Sequence, residues 1–392
     1  MLIKNVNIAT PPNLEKVTGK SLDTLEIRLA QDIEIAEGKI RRIRPSSDGE
    51  EAGDWAIPAF TDPHTHIVFC GSREDEIDLR KRVGYEGVLK SGGGIYSTVA
   101  ATKRCDFEDL LAQSRERMVS VIRNGTAVLE CKTGYGLDLE TEEKSIRVME
   151  ALEKELGITI RKTLLAHVPP RGVSENAFLS DFKEMIEEFR RRIDYVDVFV
   201  DEGAFTPDFA YQAIAFSNSL GIPGRVHLNE LKNLGGVSRL KGLKIASFDH
   251  MVETREMETG EIGTAVTLLP YTAMLLGKKL DIFNALKARG ITVAIGSDSS
   301  PNTYITSLPF VISIARQFTP LTLENLLNMA TINSSYTLSL SSETGSIHEG
   351  KRANIIVTRG SYRNIGYRFG DDLIRTVLVD GKPRLSETDL SH

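Results

Sequence analysis

Residues 58–69, PAFTDPHTHIVF, place His64 and His66 one residue apart directly after an apolar run. The 392 residues contain only seven histidines. Side chains alternate across an extended strand, so these two imidazoles project from the same face. Neutral imidazole is the commonest protein ligand for zinc-like ions, and two surface histidines on a loop are the alternative. Further ligand residues later in the chain decide between the two.

The apolar run before His64 is the first of eight such runs between residues 57 and 338. Each is short, rich in Val, Ile and Leu, and followed by a polar cluster. The other seven end at TAVLECKTGYG, KTLLAHVPP, YVDVFVDEGAF, GRVHLNE, IASFDHMVE, TAVTLLPYT and TVAIGSDSS. Amphipathic helical patterns such as FEDLLAQSRERMVSVIRN and TEEKSIRVMEALEKEL lie between them. This alternation indicates a parallel sheet covered by helices, and eight strands predict a TIM-type (β/α)₈ barrel. A doubly wound open sheet is the structural alternative.

The two ends of the chain have a different pattern. MLIKNVNIAT and LEIRLAQDIEIAEGKIRRIRP alternate in polarity, and GSIHEGKRANIIVTRG and LIRTVLVDGKPRL do the same near the other end. Alternation predicts antiparallel strands, and neither end alone has enough apolar surface to form a domain. We therefore expect residues 1–57 and 340–392 to form one discontinuous β-sandwich domain beside a catalytic barrel at 58–339.

Composition excludes several classes of protein. The chain is 41% hydrophobic and 26% charged, which is typical of a globular protein. Its net charge of -6 is spread without a basic stripe, so nucleic acid is not an expected partner. No apolar run approaches the roughly 18 residues of a membrane span, and no secretion signal is recognisable, which favours a cytoplasmic protein. Cys70, Cys105 and Cys131 form no Cys-x-x-Cys pair, so neither a disulfide framework nor a thiolate zinc site is expected.

Polar side chains collect where the predicted strands end. These residues are His64 and His66 after the first run, His167 after the third, His227 after the fifth, His250 after the sixth and Asp298 after the eighth. Chemistry in such barrels takes place at the carboxyl ends of the strands. Several imidazoles and a carboxylate at one rim suit Zn²⁺ or a similar ion, which lowers the pKa of bound water to about 7. The pattern therefore predicts metal-dependent hydrolysis of a carbon–nitrogen or ester bond.

Several motifs resemble the amidohydrolase superfamily. They are DPHTH after a strand, the single histidines of the fifth and sixth runs, and the aspartate of the eighth. Within that superfamily, DPHTHIVFCGSREDE, SGGGIYSTV, ECKTGYGLDLETE, AHVPP, DVFVDEGAF, HLNELKNLGG and DHMVE are similar, in this order, to the imidazolonepropionase family of histidine breakdown. The resemblance implies hydrolytic opening of 4-imidazolone-5-propanoate to N-formimidoyl-L-glutamate.

The resemblance also implies a metal set. His64, His66, His227 and Asp298 would hold one Zn²⁺ or Fe³⁺ ion in each subunit of a homodimer. Lys132 is the nearest candidate for a carbamate that bridges two metals, but its KTGYG segment belongs to the substrate pocket in this family. A mononuclear centre is therefore expected.

Further residues are assigned to the substrate and to proton transfer by the same resemblance. Arg73 would pair with the anionic tail of this small molecule, because a guanidinium binds a carboxylate in bidentate geometry. Tyr135 and His167 would hydrogen-bond the ring or tail, and Tyr85 is a weaker candidate. Glu230 would carry a proton to the ring nitrogen and contact the substrate. His250 and Asp298 would orient and deprotonate the attacking water.

The chain departs from the family after Asp298, where SSPNTYIT replaces the usual Phe-Asn-Pro-Gly-Ser-Ser-Pro. Ser300 and Asn302 replace an Asn and a Gly, and Thr303 replaces a Ser, whose counterparts contact the ligand. These three residues are thus expected at the substrate, with altered size and polarity. Leu228-Asn229 is a second departure, where Ala-Asp is usual.

Two other functions fit parts of the pattern. An amidohydrolase acting on another substrate, such as a cytosine or guanine deaminase, would share the metal set but would not need Arg73. A catalytically silent barrel that serves as an assembly protein would bind no metal.

Overall fold

The strands of the protein fall into two sheets, in a computed structural model that describes residues 1–47, 53–90, 93–368 and 370–385. The first strands are β1 (Leu2–Thr10), β2 (Glu26–Ala36), β3 (Lys39–Pro45) and β4 (Trp55–Pro58). Eight more follow: β5 (Phe60–Asp62), β6 (Thr126–Lys132), β7 (Thr159–Ala166), β8 (Tyr195–Val200), β9 (Gly224–Leu228), β10 (Ile245–His250), β11 (Ala265–Leu268) and β12 (Val293–Ile295). The last are β13 (Ile355–Thr358), β14 (Ile374–Val379) and β15 (Lys382–Leu385).

Strands β5 to β12 form a parallel barrel in chain order. Every residue of β6 and of β9 is buried, as expected for strands covered on both faces. Beyond the strands, the backbone N–H of Asp298 donates to the carbonyl of His64 at 3.1 Å, and that of His66 donates to Ser299 at 2.7 Å. These bonds join the segments after β5 and β12. The eight-stranded barrel is therefore confirmed, and the open sheet is not.

Helices connect the barrel strands. They are α1 (Glu76–Lys90), α2 (Ile95–Arg104), α3 (Phe107–Arg123), α4 (Leu139–Leu156), α5 (Glu175–Phe189), α6 (Pro207–Ser219), α7 (Gly236–Arg239), α8 (Pro270–Leu275), α9 (Ile282–Ala288), α10 (Leu308–Phe318), α11 (Leu323–Asn328) and α12 (Ser334–Thr337). Short 3₁₀ helices span Gly19–Asp23, Glu256–Glu261 and Tyr362–Asn364, and a π-helical turn spans Met329–Asn333. The Asp106 and Asp138 side chains cap α3 and α4 by accepting from backbone N–H groups. Gly157 ends α4 at φ +59°.

The remaining strands form a seven-stranded mixed sheet from both chain ends, in the order β15-β14-β13-β4-β1-β2-β3. The β2–β3 hairpin turns between Ala36 and Lys39, and β1 pairs with β4 in parallel. A separate apolar core lies against this sheet and includes Ile8, Ile33, Ile355 and Leu378. The predicted small β unit built from both ends is confirmed. Its boundaries at residues 57/58 and 339/340 stay a prediction.

The prediction that the cysteines form no disulfide framework is wrong. Cys70, on the loop after β5, and Cys105, which caps α2, form a disulfide with their Cα atoms 6.4 Å apart. They are 35 residues apart in sequence, and packing of α2 against the loop brings them within bonding range. Cys131 is buried as a free thiol in β6. Spacing along the chain contains no signal for such a pair.

We expect Ile8→Ala to lower the free energy of unfolding by about 2–5 kcal/mol, because Ile8 is fully buried in the core of the mixed sheet. Leu2→Ala in the same strand is the matched control. Leu2 is 39% exposed, so its loss should stay within about 0.5 kcal/mol. Urea denaturation of both variants measures the difference. Equal losses would contradict the assigned core.

Candidate metal centre and active site

The polar residues predicted at the strand ends meet at one end of the barrel. His64 and His66 follow β5, His227 lies in β9, and Asp298 follows β12. His250 is the last residue of β10. His250 and Asp298 have left-handed backbone conformations, with φ of +71° and +53°. Such conformations are unusual for non-glycine residues and turn the chain sharply at the rim of the barrel.

Two overlapping groups of buried side chains could each hold a metal ion: His64, His66 and Asp298 form one, and His64, His227 and His250 form the other. His66 Nε2 lies 3.3 Å from the Nε2 atoms of both His64 and His227. Asp298 Oδ1 lies 3.5 Å from His66 Nε2 and 3.7 Å from His64 Nε2. Donors about 2.1 Å from a tetrahedral ion are separated by about 3.4 Å, so the arrangement fits zinc or a similar ion. The assignment of His64, His66, His227 and Asp298 as ligands stays a prediction.

His64 and His227 are each held by a carboxylate on the ring nitrogen that faces away from this centre. Asp249 Oδ2 lies 2.7 Å from His64 Nδ1, and Asp197 Oδ1 lies 3.2 Å from His227 Nδ1. Burial, with the nearby Lys132 charge, lowers the pKa of both imidazoles well below the usual value. Burial has the same effect on the pKa of His66. The three rings are therefore neutral, which is the form that binds metal.

Beneath these carboxylates lie two buried cations. Lys132 Nζ contacts Glu130 at 2.7 Å and Asp197 at 2.8 Å, and an Arg225 terminal nitrogen lies 3.2 Å from Asp249. Although burial alone would lower the pKa of Lys132, Asp197 and Glu130 raise it. Lys132 is therefore a paired ammonium here, and the expected mononuclear centre stays a prediction.

Our sequence reasoning missed this set of residues, apart from considering Lys132 as a carbamate. A signal was present, because the charged side chains interrupt otherwise apolar strands: TAVLECK, YVDVFV, GRVHL and IASFDH. A charge inside a strand that is covered on both faces must point into the barrel and find a partner there.

Glu230 and His250 lie beside the four predicted ligands. His250 Nε2 is 3.6 Å from Glu230 Oε2, and neither His250 ring nitrogen makes a hydrogen bond to any of the residues that the structure describes. Burial lowers the pKa of His250 to about 4. Burial and the charges of Asp298 and Asp201 raise the pKa of Glu230 well above its usual value. A neutral imidazole thus faces a carboxyl group that can hold a proton, as acid–base catalysis requires.

Asp201 holds the loop that carries Glu230. Its carboxylate accepts backbone N–H bonds from Glu230 at 3.1 Å, Leu231 at 2.7 Å and Lys232 at 3.0 Å. Sequence reasoning did not single out Asp201, although it directly follows β8 in the quoted DVFVDEGAF. The buried carboxylate fixes the direction in which the β9 loop leaves the barrel.

Side-chain hydroxyls of the loop after Asp298 make hydrogen bonds within the loop itself. The Thr303 hydroxyl donates to the Asp298 carbonyl, and the Ser300 and Thr303 hydroxyls lie 2.9 Å apart. Thr272 of α8 donates to Asp298 Oδ2 at 2.6 Å. Burial raises the pKa of Asp298 to about 7. Ser300 and Thr303 therefore stabilise the Asp298 turn, and their predicted contact with substrate stays untested.

Arg73 lines a cavity of about 590 Å³, together with Asn302 and Thr303. Its side chain is 6% exposed, and its Nε donates to Glu76 at 2.8 Å. The partner is thus Glu76 and not the neighbouring Glu74 or Asp75. The predicted contact of Arg73 with the substrate stays untested.

Tyr135 and His167 lie beside the candidate ligand His66. Both are buried, with ring centroids 5.2 Å apart, and His167 stacks on His66 at 5.3 Å. Burial lowers the pKa of His167 to about 3, and the Arg73 charge contributes to this shift. The Tyr85 side chain lies outside the described residues.

Comparison with protein families matches residues 55–384 to the amidohydrolase family. The imidazolonepropionase of Thermoplasma acidophilum is 35% identical over 97% of this chain and 96% of its own length. This chain is an amidohydrolase of the imidazolonepropionase family. It is 34% identical to the imidazolonepropionase of Thermoplasma volcanium over 97% of each chain, and 30% identical to that of Brevibacillus brevis. The resemblance seen in the sequence motifs is confirmed, and this amidohydrolase is a hydrolytic enzyme.

Solved structures agree with the fold of this amidohydrolase. A triazine hydrolase variant superposes with a TM-score of 0.73 over 98% of this chain and 94% of its own, at 16% identity. An adenosine deaminase from Xanthomonas campestris with bound zinc gives 0.69 over 98% and 93%, at 15% identity. At such low identity these structures support the fold alone. Among the described helices, none has the length and apolar character needed to cross a membrane.

Proposed function

We propose that the protein hydrolyses 4-imidazolone-5-propanoate to N-formimidoyl-L-glutamate. The observation that carries the proposal is the convergence of three neutral imidazoles and the Asp298 carboxylate at the mouth of the barrel. The buried Arg73, whose charge acts on His167, suits a small substrate with an anionic tail. The relatives named imidazolonepropionase, which match this chain over nearly its full length, support the same reaction.

In this proposal His64, His66, His227 and Asp298 hold one Zn²⁺ or Fe³⁺ ion. The ion supplies water whose pKa is lowered towards neutrality. Asp298 and His250 would orient the water, and one of the two would accept its proton as the water oxygen bonds to the ring carbonyl carbon. The bond from that carbon to the ring nitrogen breaks, and the nitrogen takes a proton from Glu230. Tyr135 and His167 hold the ring, and Arg73 holds the tail.

Loss of the metal should stop this reaction. Purified protein loaded with zinc or iron is mixed with freshly made 4-imidazolone-5-propanoate, and the imidazolone absorbance is followed with and without a chelator. The absorbance should fall faster than the spontaneous rate only in the metal-loaded sample. No decay above the spontaneous rate would contradict the proposed function. We further propose that the protein is cytoplasmic and forms a homodimer. A measurement of its molecular mass in solution tests the dimer.

We expect Arg73→Met to raise KM for 4-imidazolone-5-propanoate by about 10- to 100-fold. A charge-assisted hydrogen bond contributes about 1.5–3 kcal/mol, and each 1.4 kcal/mol is a factor of about ten. Arg82→Met, an exposed arginine on the same helical segment as Glu76, is the matched control and should leave KM unchanged. If Arg73→Met and wild type had the same KM, Arg73 would not bind the substrate. That result would favour an uncharged substrate, such as that of a deaminase.

A further inference from the structure

A cluster of charged side chains fills the barrel interior below the candidate metal centre. It consists of Glu130 and Lys132 of β6, Asp197 of β8, Arg225 of β9 and Asp249 of β10, and each of these side chains is 0% exposed. Charges removed from water are costly unless they are paired. The proposed reaction uses none of the five to contact the ion or the substrate, so their role has to be found in their contacts.

Lys132 is the centre of this cluster. Its Nζ lies 2.7 Å from Glu130 Oε1, 2.8 Å from Asp197 Oδ2 and 3.7 Å from Asp249 Oδ2. One ammonium group therefore faces three carboxylates that come from three different strands. Arg225 adds a second cation, with a terminal nitrogen 3.2 Å from Asp249 Oδ2.

Two of these carboxylates extend the contacts to the candidate metal ligands. Asp249 Oδ2, which faces Lys132, is also 2.7 Å from His64 Nδ1. Asp197 accepts from the backbone N–H of His227 at 3.2 Å and lies 3.2 Å from its Nδ1. A neutral imidazole has one N–H, and a carboxylate beside Nδ1 places the proton there. The Nε2 lone pair of each ring then points to the metal centre.

His66 provides an internal comparison. Its Nε2 belongs to the same centre, but its Nδ1 has no hydrogen-bond partner within the described part of the chain. The charged cluster therefore acts on two of the three imidazoles only.

We propose that Lys132, acting through Asp197 and Asp249, is a positioning residue of the metal centre. Its ammonium group keeps both carboxylates in place, and they fix His227 and His64 in the tautomer that leaves Nε2 free to bind the ion. This inference rests on the proposed metal centre and does not depend on the proposed substrate.

The test is a charge-balanced double variant, Lys132→Met with Glu130→Gln. It removes one positive and one negative charge, so the net charge of the buried cluster is unchanged. The tautomers are read in the metal-free protein from imidazole ¹H–¹⁵N spectra after selective histidine labelling. Wild type should show His64 and His227 with the proton on Nδ1. The double variant should lose this single tautomer at one or both rings, and zinc affinity, measured by competition with a fluorescent chelator, should fall about 10- to 100-fold.

Further variants complete the experiment. Asp249→Ala removes the acceptor at His64 Nδ1 and leaves Asp197 beside His227, so His64 should change tautomer while His227 does not. If the double variant does not fold, the single variant Lys132→Gln, measured in the same way, decides the role of Lys132. Glu142→Gln is the matched control, because Glu142 is buried and accepts backbone N–H bonds from Gly134 and Gly136, not from an imidazole. It should leave the tautomers and the zinc affinity unchanged.

Folded variants with wild-type tautomers and wild-type zinc affinity would overturn the proposal. The substrate assay is independent of this result. A zinc-loaded wild type that does not open the imidazolone ring would contradict the proposed function, while the tautomer and affinity measurements would still decide the role of Lys132.

Discussion

Glu230→Gln is expected to reduce kcat by about 10²- to 10⁴-fold and to leave the bound metal in place. This range is the usual contribution of a positioned acid or base. Glu230 lies 3.6 Å from His250 Nε2 with a side chain that is 15% exposed, and desolvation and the Asp298 charge raise its pKa well above the usual value. Glutamine keeps the shape of the side chain but cannot donate the carboxyl proton.

Kinetics and metal content are measured on the same preparation of the variant. Glu202→Gln is the matched control, because Glu202 lies on the neighbouring loop with a 64% exposed side chain that pairs with Lys232. Its kcat should equal that of wild type. Near-normal turnover in Glu230→Gln would remove Glu230 from the mechanism, and loss of the metal would instead make Glu230 a ligand.

His66→Ala is expected to abolish tight metal binding and to lower turnover by at least about 10³-fold. A metal ion contributes several kcal/mol to such hydrolyses, and about 4 kcal/mol corresponds to this factor. His66 Nε2 is the atom of the centre that lies close to both other imidazoles and to Asp298. Removing the His66 side chain therefore takes away the donor atom that lies between the other candidate ligands.

The matched control is His348→Ala, since His348 lies away from this centre and pairs with Glu26. Metal analysis after dialysis and a zinc titration of the apo-protein give the readout. Wild type and His348→Ala should regain activity on addition of zinc, while His66→Ala should not. Full metal content and turnover in His66→Ala would contradict the assigned centre.

Much of the fold could be predicted because its signals are local. Strands covered on both faces read as short apolar runs, and α3 and α4 lie where the amphipathic patterns placed them. The rule that chemistry lies at the carboxyl ends of barrel strands then grouped residues as distant as His64 and Asp298. The structure brings these side chains together, although their roles still await experiment.

What could not be predicted depends on contacts between distant residues. The Cys70–Cys105 bond needs the packing of α2 on the loop after β5, and no spacing rule contains it. In the sequence, Lys132 is a lysine at the end of a strand. Only the fold brings the aspartates of β8 and β10 close to it. The family resemblance implies a Thr303 contact with the substrate, which stays a prediction, but it did not indicate the bond from the Thr303 hydroxyl to the Asp298 carbonyl. That bond depends on the backbone path of the loop, which the residue types alone do not define.

The central claim is that one ion is bound by four side chains drawn from opposite parts of the barrel. Anomalous diffraction from crystals of the zinc-loaded protein, collected on both sides of the zinc absorption edge, tests it most directly. We predict one peak per subunit, about 2.0–2.2 Å from the Nε2 atoms of His64, His66 and His227 and from an Asp298 carboxylate oxygen. A map with no peak among these four side chains, or with its peak at another site, would contradict the account.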